Sequence, residues 1–499
     1  MPSILAGLGL ALSLPPWGFW VLAFPAAGLL WWRLGGLSPR ARLWSGWLAG
    51  LGCFVPGLMW ARSFTVAGAI ALIVIEALFP AVACLVVPSR TTGARALAFP
   101  AAMTLAEAAR MSWPFGGLPI GGVFLGQAGG PVVGMARLGG PLLLTAAVFT
   151  GGVAVALLSQ AALMAVRRTK GLRNFAAVGS IALIAVVLVT IVADHASDGG
   201  APRGTVTAAA VQGGGVRGFR KSQVDPSVVL AAQRAATARL QQLDNGDAPQ
   251  LVLWPEDVVS LSSPLDGSSM EGSLSKLART LHTTLVVGVT ENVSSTTFRN
   301  EVVAWGPNGD LVSRFEKVHR VPFGEYVPYR GFFQHVADLS SVPLDAIPGT
   351  GTGLLPTPAA PLGALVSYEV FYADRGRSSV RAGAQLLIVP TNTSSYSTDQ
   401  VPSQEIAASE VQAVEQGRDL LQAAPTGFSA VIDHRGRLLS RSTLGKLQVI
   451  TATLDRRTGE TLFVRYGDTP IMVLAGLAWV GGWLLFHRAC RRKAPITTR

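Results

Sequence analysis

The sequence predicts a multi-pass bundle of about eight membrane-spanning helices that carries an extracytoplasmic α/β domain. Three observations support this fold class. The residues are 49% hydrophobic and only 14% charged, and the mean hydropathy of +0.41 is typical of a membrane protein. Basic clusters lie directly beside the apolar segments. Residues 205–453 then change to short strand patterns that alternate with helical ones, which indicates a layered α/β fold.

The net charge of +12 does not indicate nucleic-acid binding. Many of the Lys and Arg residues flank apolar segments, as anchoring on the cytoplasmic side of a membrane requires, and no basic residues alternate with aromatic ones in a binding platform. The three cysteines are Cys53 and Cys84 in apolar segments and Cys490 in a basic tail. We therefore expect no disulfide, Cys-based metal site or thiol chemistry in the α/β domain.

Eight apolar segments are candidates for membrane spans, since a crossing needs about 17 to 25 residues. They are residues 3–14, 17–32, 44–62, 65–88, 96–111, 142–166, 175–193 and 471–486. Because Pro15-Pro16 interrupts the first 32 residues, these form either two short helices or a hairpin that does not fully cross. The alternative of a cleaved signal peptide lacks a basic leading region and a clear cleavage site. The glycine-rich residues 121–140 predict an irregular, partly re-entrant segment.

Four basic clusters predict the topology. They lie at residues 33–42, 90–95, 167–173 and 488–493. Placing all four in the cytoplasm gives eight spans with both termini inside, and leaves roughly residues 195–468 on the extracytoplasmic face. The predicted parts are a helical bundle (1–194), an α/β domain (203–460), a C-terminal transmembrane helix (470–487) and a basic cytoplasmic tail (488–499).

Within the α/β domain, short apolar runs predict strands and longer periodic runs predict helices. Strands are expected at residues 205–211, 251–253, 284–289, 302–305, 311–315, 363–366, 386–389, 430–432 and 447–453. Helices are expected at residues 228–243, 272–282, 375–383 and 403–416. Asn308-Gly309 predicts the turn of a hairpin.

Three of these strands end at residues that can do chemistry. Glu256 follows strand 251–253, Lys317 follows strand 311–315, and Ser367 follows strand 363–366. Each is alone an ordinary surface residue, but strand ends are where active sites of α/β folds gather. Together they supply an acid, a hydroxyl and a cation. If the reaction is acyl transfer, Glu256 would be the general base, Ser367 the nucleophile, and Lys317, helped by the backbone N–H of Tyr368, would face the oxyanion.

This arrangement resembles the nitrilase (carbon–nitrogen hydrolase) superfamily, whose members use Glu, Lys and Cys at three strand ends. Residues 317–326, which read Lys-x-His-x-x-Pro-Phe-Gly-Glu-Tyr, resemble its membrane-anchored branch, the apolipoprotein N-acyltransferases, and the resemblance covers almost the whole chain. It implies a four-layer αββα sandwich and no cofactor or metal.

The resemblance also implies roles for further residues. Glu325, presented by the Pro322-Phe323-Gly324 turn, would keep Lys317 charged and oriented. Tyr368 and Glu369 would support the turn that carries the nucleophile, although Glu369 has an alternative as the buried ion-pair partner of Arg375 or Arg377. Asn392 would contact substrate, but the family's Trp after it is missing here.

Ser367 stands where the family has cysteine. A hydroxyl is essentially never ionised at neutral pH, so three interpretations stay open. The first is a slower seryl acyl-enzyme activated by Glu256. The second is a protein that binds lipid without turnover, and the third is direct transfer with no covalent intermediate.

The resemblance implies transfer of a fatty acyl chain from a phospholipid to the N-terminal diacylglyceryl-cysteine amine of an apolipoprotein, in a bacterial cytoplasmic membrane. Two other functions are alternatives: a non-catalytic relative that binds lipid or lipoprotein or scaffolds a partner, and a membrane-tethered amidase.

The aromatic residues 326–333 fit either core packing or an arm that dips toward the membrane.

Overall fold

The computed structural model describes residues 1–169, 172–218, 224–242, 248–335 and 338–491. They fall into two compact units, one formed by Met1–Ala196 with Tyr466–Arg499 and the other by Ser197–Arg465. Some predicted features lie outside the described residues: Lys170, Leu243 at the end of the predicted helix 228–243, and the tail residues 492–499.

The first unit is helical. Its helices are α1 (Pro2–Ser13), α2 (Ala23–Arg33), α3 (Pro39–Gly57), α4 (Val66–Leu85), α5 (Thr92–Arg110), α6 (Ala136–Val166), α7 (Leu172–His195) and, at the other end of the chain, Thr469–Arg491. Each overlaps one predicted span. Within the described residues, four helical segments are long and apolar enough to cross a membrane: Val66–Leu85, Val133–Val166, Leu172–His195 and Thr469–Arg491. Several apolar helices are thus confirmed, while the number of about eight crossings stays a prediction.

The glycine-rich segment between α5 and α6 is irregular, as predicted. It contains two short 3-10 turns, Val123–Gln127 and Val133–Met135, and the backbone leaves helical geometry at Gly139 and Gly140. An arginine at the end of α5 holds the chain that enters this segment. Arg110 is 1% exposed and donates to the backbone carbonyls of Leu118, Pro119 and Ile120.

The second unit contains two sheets. Its strands are β1 (Thr205–Gln212), β2 (Leu251–Leu253), β3 (Val259–Leu261), β4 (Thr284–Asn292), β5 (Thr297–Trp305), β6 (Leu311–Glu316), β7 (Asp345–Ala346), β8 (Leu354–Leu355), β9 (Leu362–Ala364), β10 (Leu386–Pro390), β11 (Leu420–Ala423), β12 (Ala430–Ile432), β13 (Leu438–Arg441) and β14 (Gln448–Asp455). The first sheet has the order β14-β1-β2-β4-β5-β6, with β3 beside β4 and β7 beside β5. The second has the order β13-β12-β11-β10-β9-β8.

The helices of this unit are α8 (Pro226–Ala238), α9 (Ser269–Leu281), α10 (Arg330–Phe333), α11 (Ala373–Arg381), α12 (Gln400–Gln416) and α13 (Leu462–Tyr466).

The two faces of each sheet pack in different layers, because alternate residues of a strand face opposite sides. Leu251 and Leu253 of β2 therefore join a core shared with the second sheet, while Val252 packs in a separate core with residues of α8 and α9. Helices α11 and α12 pack on the second sheet. The layers are αββα, which confirms the predicted sandwich.

The first and last strands of this unit pair with each other. Strands β1 and β14 are antiparallel along their whole length, with Thr205 opposite Asp455 and Gln212 opposite Gln448. Just outside the strands, the backbone N–H of Arg203 donates to the carbonyl of Arg456 at 2.8 Å. The chain therefore enters and leaves this unit at the same edge of the first sheet.

The sequence analysis missed β3, β7, β8, β11 and β13. Most of these are two to four residues long at the margins of a sheet, too short for periodicity to show. Strand β11 is central and was missed for another reason: it follows α12 after Gly417, whose φ of 63° ends the helix, and it contains a buried glutamine, Gln422.

The parallel pairing of the strands positions the candidate site. In the second sheet, β9, β10 and β11 are parallel neighbours, so their carboxyl ends meet at one edge. In the first sheet, β2 is parallel to β4, and Gly288 of β4 lets the chain after β2 approach closely. A Cβ at Gly288 would lie 2.5 Å from Cα of Glu256, so no larger residue fits there without displacing that glutamate.

Candidate active site

A buried cluster joins three of the predicted residues. Nζ of Lys317 donates to Oε1 of Glu256 at 2.9 Å and to Oε1 of Glu325 at 2.6 Å. The Lys317 side chain is 1% exposed, and those of Glu256 and Glu325 are 6% and 16% exposed. One ammonium therefore lies between two carboxylates in a largely water-excluded position.

The backbone on both sides of Lys317 is fixed by hydrogen bonds. Its N–H donates to the carbonyl of Asn300 on β5 at 2.9 Å, and its own carbonyl accepts from the N–H of Gly349 at 2.8 Å. The following turn has Phe323 at a φ of 60°. It closes when the N–H of Val321 donates to Oε2 of Glu325 at 2.8 Å, which aims the other carboxylate oxygen at Lys317.

The electrostatics of the cluster favour a charged lysine beside a proton-accepting glutamate. Burial raises the pKa of Glu256; Lys317 opposes this effect and the charge of Glu325 adds to it. For Lys317, burial disfavours the charged form, but the two carboxylates outweigh it and its pKa lies above the ordinary value. A carboxylate whose pKa is raised above its ordinary value is a stronger base than an unperturbed one.

Asn300 is a member of this cluster that the sequence analysis missed. Its Nδ2 donates to Oε1 of Glu256 at 2.8 Å and to Oε1 of Glu325 at 3.1 Å, so it bridges the same two oxygens as Lys317. The sequence carries little signal for it, because Asn300 lies between the charged residues Arg299 and Glu301, just before the predicted strand 302–305.

Ser367 begins a short 3-10 turn, Ser367–Phe371, just after β9. Its φ of 52° is in the left-handed region that non-glycine residues rarely adopt, as at nucleophile turns in other hydrolase folds. Tyr368 follows, 7% exposed, with its ring against Phe371 and Tyr372.

Glu369 connects the turn that carries Ser367 to the segment that carries Lys317. It is fully buried, and its Oε2 accepts from the N–H of Val366, the residue before Ser367, at 2.9 Å. Its Oε1 accepts from the N–H of Val318, the residue after Lys317, at 2.8 Å. Arg375 lies 3.5 Å from the same Oε1, so the ion pair weighed from the sequence also exists. Glu369 thus holds the two chain segments together and brings Ser367 toward the cluster.

The hydroxyl of Ser367 contacts a residue that was not predicted to matter. Among the described residues its hydrogen-bond partner is Thr391, with the two hydroxyl oxygens 3.2 Å apart. The Thr391 hydroxyl also makes a short hydrogen bond to Oε1 of Glu405, on α12. Neither Thr391 nor Glu405 was singled out from the sequence, because neither belongs to the motif.

Asn392 and His319 lie at the margins of the site. Nδ2 of Asn392 is 3.5 Å from Oδ2 of Asp257, which follows Glu256, and its Oδ1 accepts from the N–H of Ser394.

The His319 ring stacks on Tyr372 with 4.1 Å between centroids, and its Nε2 is 3.7 Å from Asp374. No contact in the described chain links His319 to Ser367. Among the described residues, no three His, Cys, Asp or Glu side chains are grouped to hold a metal ion.

The aromatic residues of the stretch 326–333 differ in exposure. Tyr329 and Phe332 are 76% and 64% exposed, whereas Tyr326 and Phe333 are half-buried and Val327 is buried. Phe323, in the preceding turn, is 43% exposed. Core packing therefore accounts for only part of this stretch, and the arm toward the membrane stays a prediction.

Comparison with known proteins agrees with this geometry. The carbon–nitrogen hydrolase family profile matches residues 207–462, and the profile of the apolipoprotein N-acyltransferase N-terminal domain matches residues 6–154. The apolipoprotein N-acyltransferase of Mycolicibacterium smegmatis is 32% identical over all of this chain and 88% of its own length. That of Shewanella oneidensis is 25% identical over 97% of this chain and 95% of its own.

Among solved structures, the carbon–nitrogen hydrolase of Helicobacter pylori covers 54% of this chain and 95% of its own, with 17% identity and a TM-score of 0.40. The family profile over residues 207–462 shows that the α/β unit is of the carbon–nitrogen hydrolase class. Within that class, the chain belongs to the apolipoprotein N-acyltransferase family, which confirms the resemblance drawn from residues 317–326.

Proposed function

We propose that this chain transfers a fatty acyl group from a phospholipid to the α-amino group of the diacylglyceryl-cysteine that begins an apolipoprotein. Family membership along the full chain supports the substrates. The observation that carries the proposal is the buried cluster in which Lys317 lies between Glu256 and Glu325, tied through Glu369 to the turn of Ser367. A cation and a raised-pKa base beside a nucleophile are what acyl transfer requires.

In the first half-reaction, Oγ of Ser367 attacks the carbonyl carbon of the phospholipid ester while Glu256 accepts its proton. Lys317 and the backbone N–H of Tyr368 stabilise the resulting oxyanion. The carbon–oxygen bond to glycerol then breaks, Glu256 returns the proton to the departing glycerol oxygen, and lysophospholipid leaves. Ser367 is left as an acyl ester.

In the second half-reaction, the amine of the diacylglyceryl-cysteine attacks the ester carbonyl and gives a proton to Glu256. Collapse of the intermediate breaks the bond to Oγ of Ser367, which takes that proton back, and an amide is formed. Glu325, Asn392 and Tyr368 act as supporting groups. The first keeps Lys317 in place, and the other two shape the space beside the nucleophile. Neither half-reaction calls for a cofactor.

The same proposal includes the membrane arrangement. The chain would cross the bacterial cytoplasmic membrane about eight times, with both termini inside and the α/β domain, residues 203–460, on the extracytoplasmic face. The basic clusters at residues 33–42, 90–95, 167–173 and 488–493 support this orientation. Both substrates are lipids, and the exposed rings of Phe323, Tyr329 and Phe332 are suited to the membrane interface, where aromatic side chains are favoured.

Intact-mass measurement of the purified protein after incubation with phospholipid tests the proposal. We expect an acyl adduct on the wild type that is absent in Ser367→Ala and is removed when a diacylglyceryl-cysteine peptide is added. Ser367→Cys serves as the matched control with a stronger nucleophile. If only Ser367→Cys forms an adduct and the wild type transfers nothing to the peptide, the natural protein binds lipid without turnover and the proposal is wrong.

A further inference from the structure

The hydroxyl of Ser367 is hydrogen-bonded to Thr391, which is in turn hydrogen-bonded to the buried carboxyl group of Glu405. Thr391 directly follows β10, and its N–H donates to the carbonyl of Ala423 at 2.9 Å, so its position is fixed by the sheet. Its hydroxyl lies between the Ser367 hydroxyl and the Glu405 carboxyl group. Since Thr391 has one hydroxyl proton, it can donate to only one of these two neighbours at a time.

The surroundings of Glu405 indicate which of its two carboxyl oxygens is available for a proton. Glu405 is 1% exposed, and no Lys, Arg or His of the described residues lies within ion-pair distance of it. Nε2 of Gln422 donates to Oε2 of Glu405 at 3.3 Å. The amide orientation of Gln422 is fixed, because its Nε2 also donates to the carbonyl of Phe428 at 2.9 Å, which can only accept. Oε2 is therefore an acceptor, and Oε1, beside Thr391, is the oxygen available for a proton.

We propose that Glu405 is a positioning residue for Ser367: as a neutral acid it donates to Thr391, so that the Thr391 hydroxyl donates to Ser367 and leaves the Ser367 proton free for Glu256. As Ser367 loses its proton to Glu256, the Thr391 hydroxyl then faces a growing negative charge that it stabilises. When Glu405 ionises, Thr391 donates to the carboxylate instead and accepts from Ser367. The serine proton then points away from the base.

The charges around Glu405 fit this assignment. The titratable groups that face it are Glu256 and Lys317 of the buried cluster and the hydroxyl of Tyr396, while Thr391 and Gln422 contact it directly. Burial raises the pKa of Glu405 to about 8; the Thr391 hydrogen bond opposes this shift and the charge of Glu256 adds to it. The neutral acid therefore predominates at neutral pH and is lost in mildly alkaline solution.

The inference rests on the proposed acyl transfer, so its test uses two probes of Ser367. One is acyl-enzyme formation from phospholipid. The other is labelling by a fluorophosphonate, in which Oγ of Ser367 bonds to phosphorus, fluoride leaves and the serine proton passes to the base. The initial rate of each is measured by intact mass from pH 6 to pH 9.5 for the full-length wild type, Thr391→Val, Thr391→Ser, Glu405→Gln and Glu410→Gln.

We expect both rates in the wild type to decline as the pH rises through about 8. Glu405→Gln, whose amide can donate to Thr391 and accept from Gln422 without ionising, should keep its rate where the wild type declines. Thr391→Val should lose on the order of 10- to 100-fold, the size of one hydrogen bond to a charged group, and Thr391→Ser should restore most of it. Glu410→Gln removes another poorly exposed carboxyl group of α12 and should keep the wild-type decline.

Three results would overturn the inference. One is an unchanged alkaline decline in Glu405→Gln, another is an unchanged rate in Thr391→Val, and the third is a wild type that neither probe modifies. If phospholipid gives no adduct while fluorophosphonate labelling follows the expected pattern, Glu405 positions the serine and only the proposed acyl transfer fails. An infrared band of a protonated carboxyl group at neutral pH, lost in Glu405→Gln, reports the neutral acid without any reaction.

Discussion

Arg110 in the helical unit and Lys317 in the α/β unit are each buried between two carboxylates. Around Arg110, Nε and Nη2 donate to the two oxygens of Glu107 at 3.0 and 2.7 Å, and Nη1 donates to Glu76 at 3.2 Å. Three backbone carbonyls, of residues 118, 119 and 120, complete the shell. Every nitrogen of the guanidinium is used, and the cluster fixes a turn of the chain.

The cluster around Lys317 is more open. The ammonium and Asn300 share one oxygen from each carboxylate, and no described residue donates to the second oxygen of Glu256. A rigid, forked cation suits a structural clamp, whereas a compact ammonium leaves a carboxylate oxygen available to a substrate or nucleophile. The same charge balance therefore fixes the chain in one unit and, in the proposed reaction, serves chemistry in the other.

The largest effect should come from Lys317→Met. We expect acyl-enzyme formation to fall by roughly 10²- to 10³-fold or more, as when an oxyanion-stabilising donor is removed, measured as the initial rate by intact mass. The unfolding temperature should fall too, because two carboxylates remain buried without their cation. Adding Glu256→Gln and Glu325→Gln should restore stability but no activity. Recovery of the rate in that triple variant would contradict a chemical role for the cluster.

Arg110→Met tests the other cluster. Removing one partner of a buried ion pair costs about 3–5 kcal/mol, so we expect a clear drop in the thermal unfolding temperature in detergent. The initial rate per folded molecule should stay near that of the wild type, and adding Glu76→Gln with Glu107→Gln should regain most of the stability. A selective loss of rate at unchanged stability would mean that Arg110 takes part in the reaction.

Gly288→Ala should have an intermediate effect. A Cβ at this position meets the carbonyl of Pro255 and lies 2.5 Å from Cα of Glu256, so the base must move. A displacement of about 1 Å costs on the order of 10²-fold in rate. Gly272→Ala is the matched control, because a Cβ there meets nothing within 4 Å and alanine favours the helix. Equal rates in the two variants would show that Glu256 tolerates displacement.

The last effect is the most gradual one, because it is spread over several pH units, and it concerns stability against pH. Folding keeps the proton on Glu405 up to about pH 8, whereas the ordinary value is 4.5. Between these values the folded state binds more protons, so this group makes the free energy of unfolding fall as pH rises, by at most about 1.4 kcal/mol per pH unit. Glu405→Gln should flatten the dependence of the unfolding temperature on pH across this window. Parallel curves for the variant and the wild type would contradict it.

The sequence could predict the parts of the site that belong to a contiguous motif or to a strand end. Glu256, Lys317 and Glu325 were identified together because a proline-glycine turn and two apolar runs mark their positions, and the structure brings their side chains together. Asn300, Thr391 and Glu405 could not be identified in the same way. Their roles depend on which strands and helices pack side by side, and the spacing of residues along the chain does not encode this.

Secondary-structure elements were likewise predicted where a contiguous sequence pattern marks them and missed where it does not. Long apolar or periodic runs such as α12 were predicted nearly to their ends, and β2 and β12 were predicted to the residue. Strand β11 was missed because its buried Gln422 breaks the apolar run. That glutamine is buried where it hydrogen-bonds to Ser409 and Glu405. Gln422, whose polarity made β11 hard to predict, is thus also a residue that orients the carboxyl group of Glu405.

The pairing of β1 with β14 has a consequence for how such a chain can arise. Residues 197–465 begin and end at neighbouring positions of one sheet edge, so the unit interrupts a helical sequence much as an inserted gene segment would. Chain termini that lie close together are the condition under which domain insertion is tolerated. If recombination replaces this block, its two junctions lie close together in space. Both of the paired strands leave together, so no unpaired strand edge stays in the helical unit. The close ends of the α/β unit therefore meet the geometric condition for its replacement as a single block.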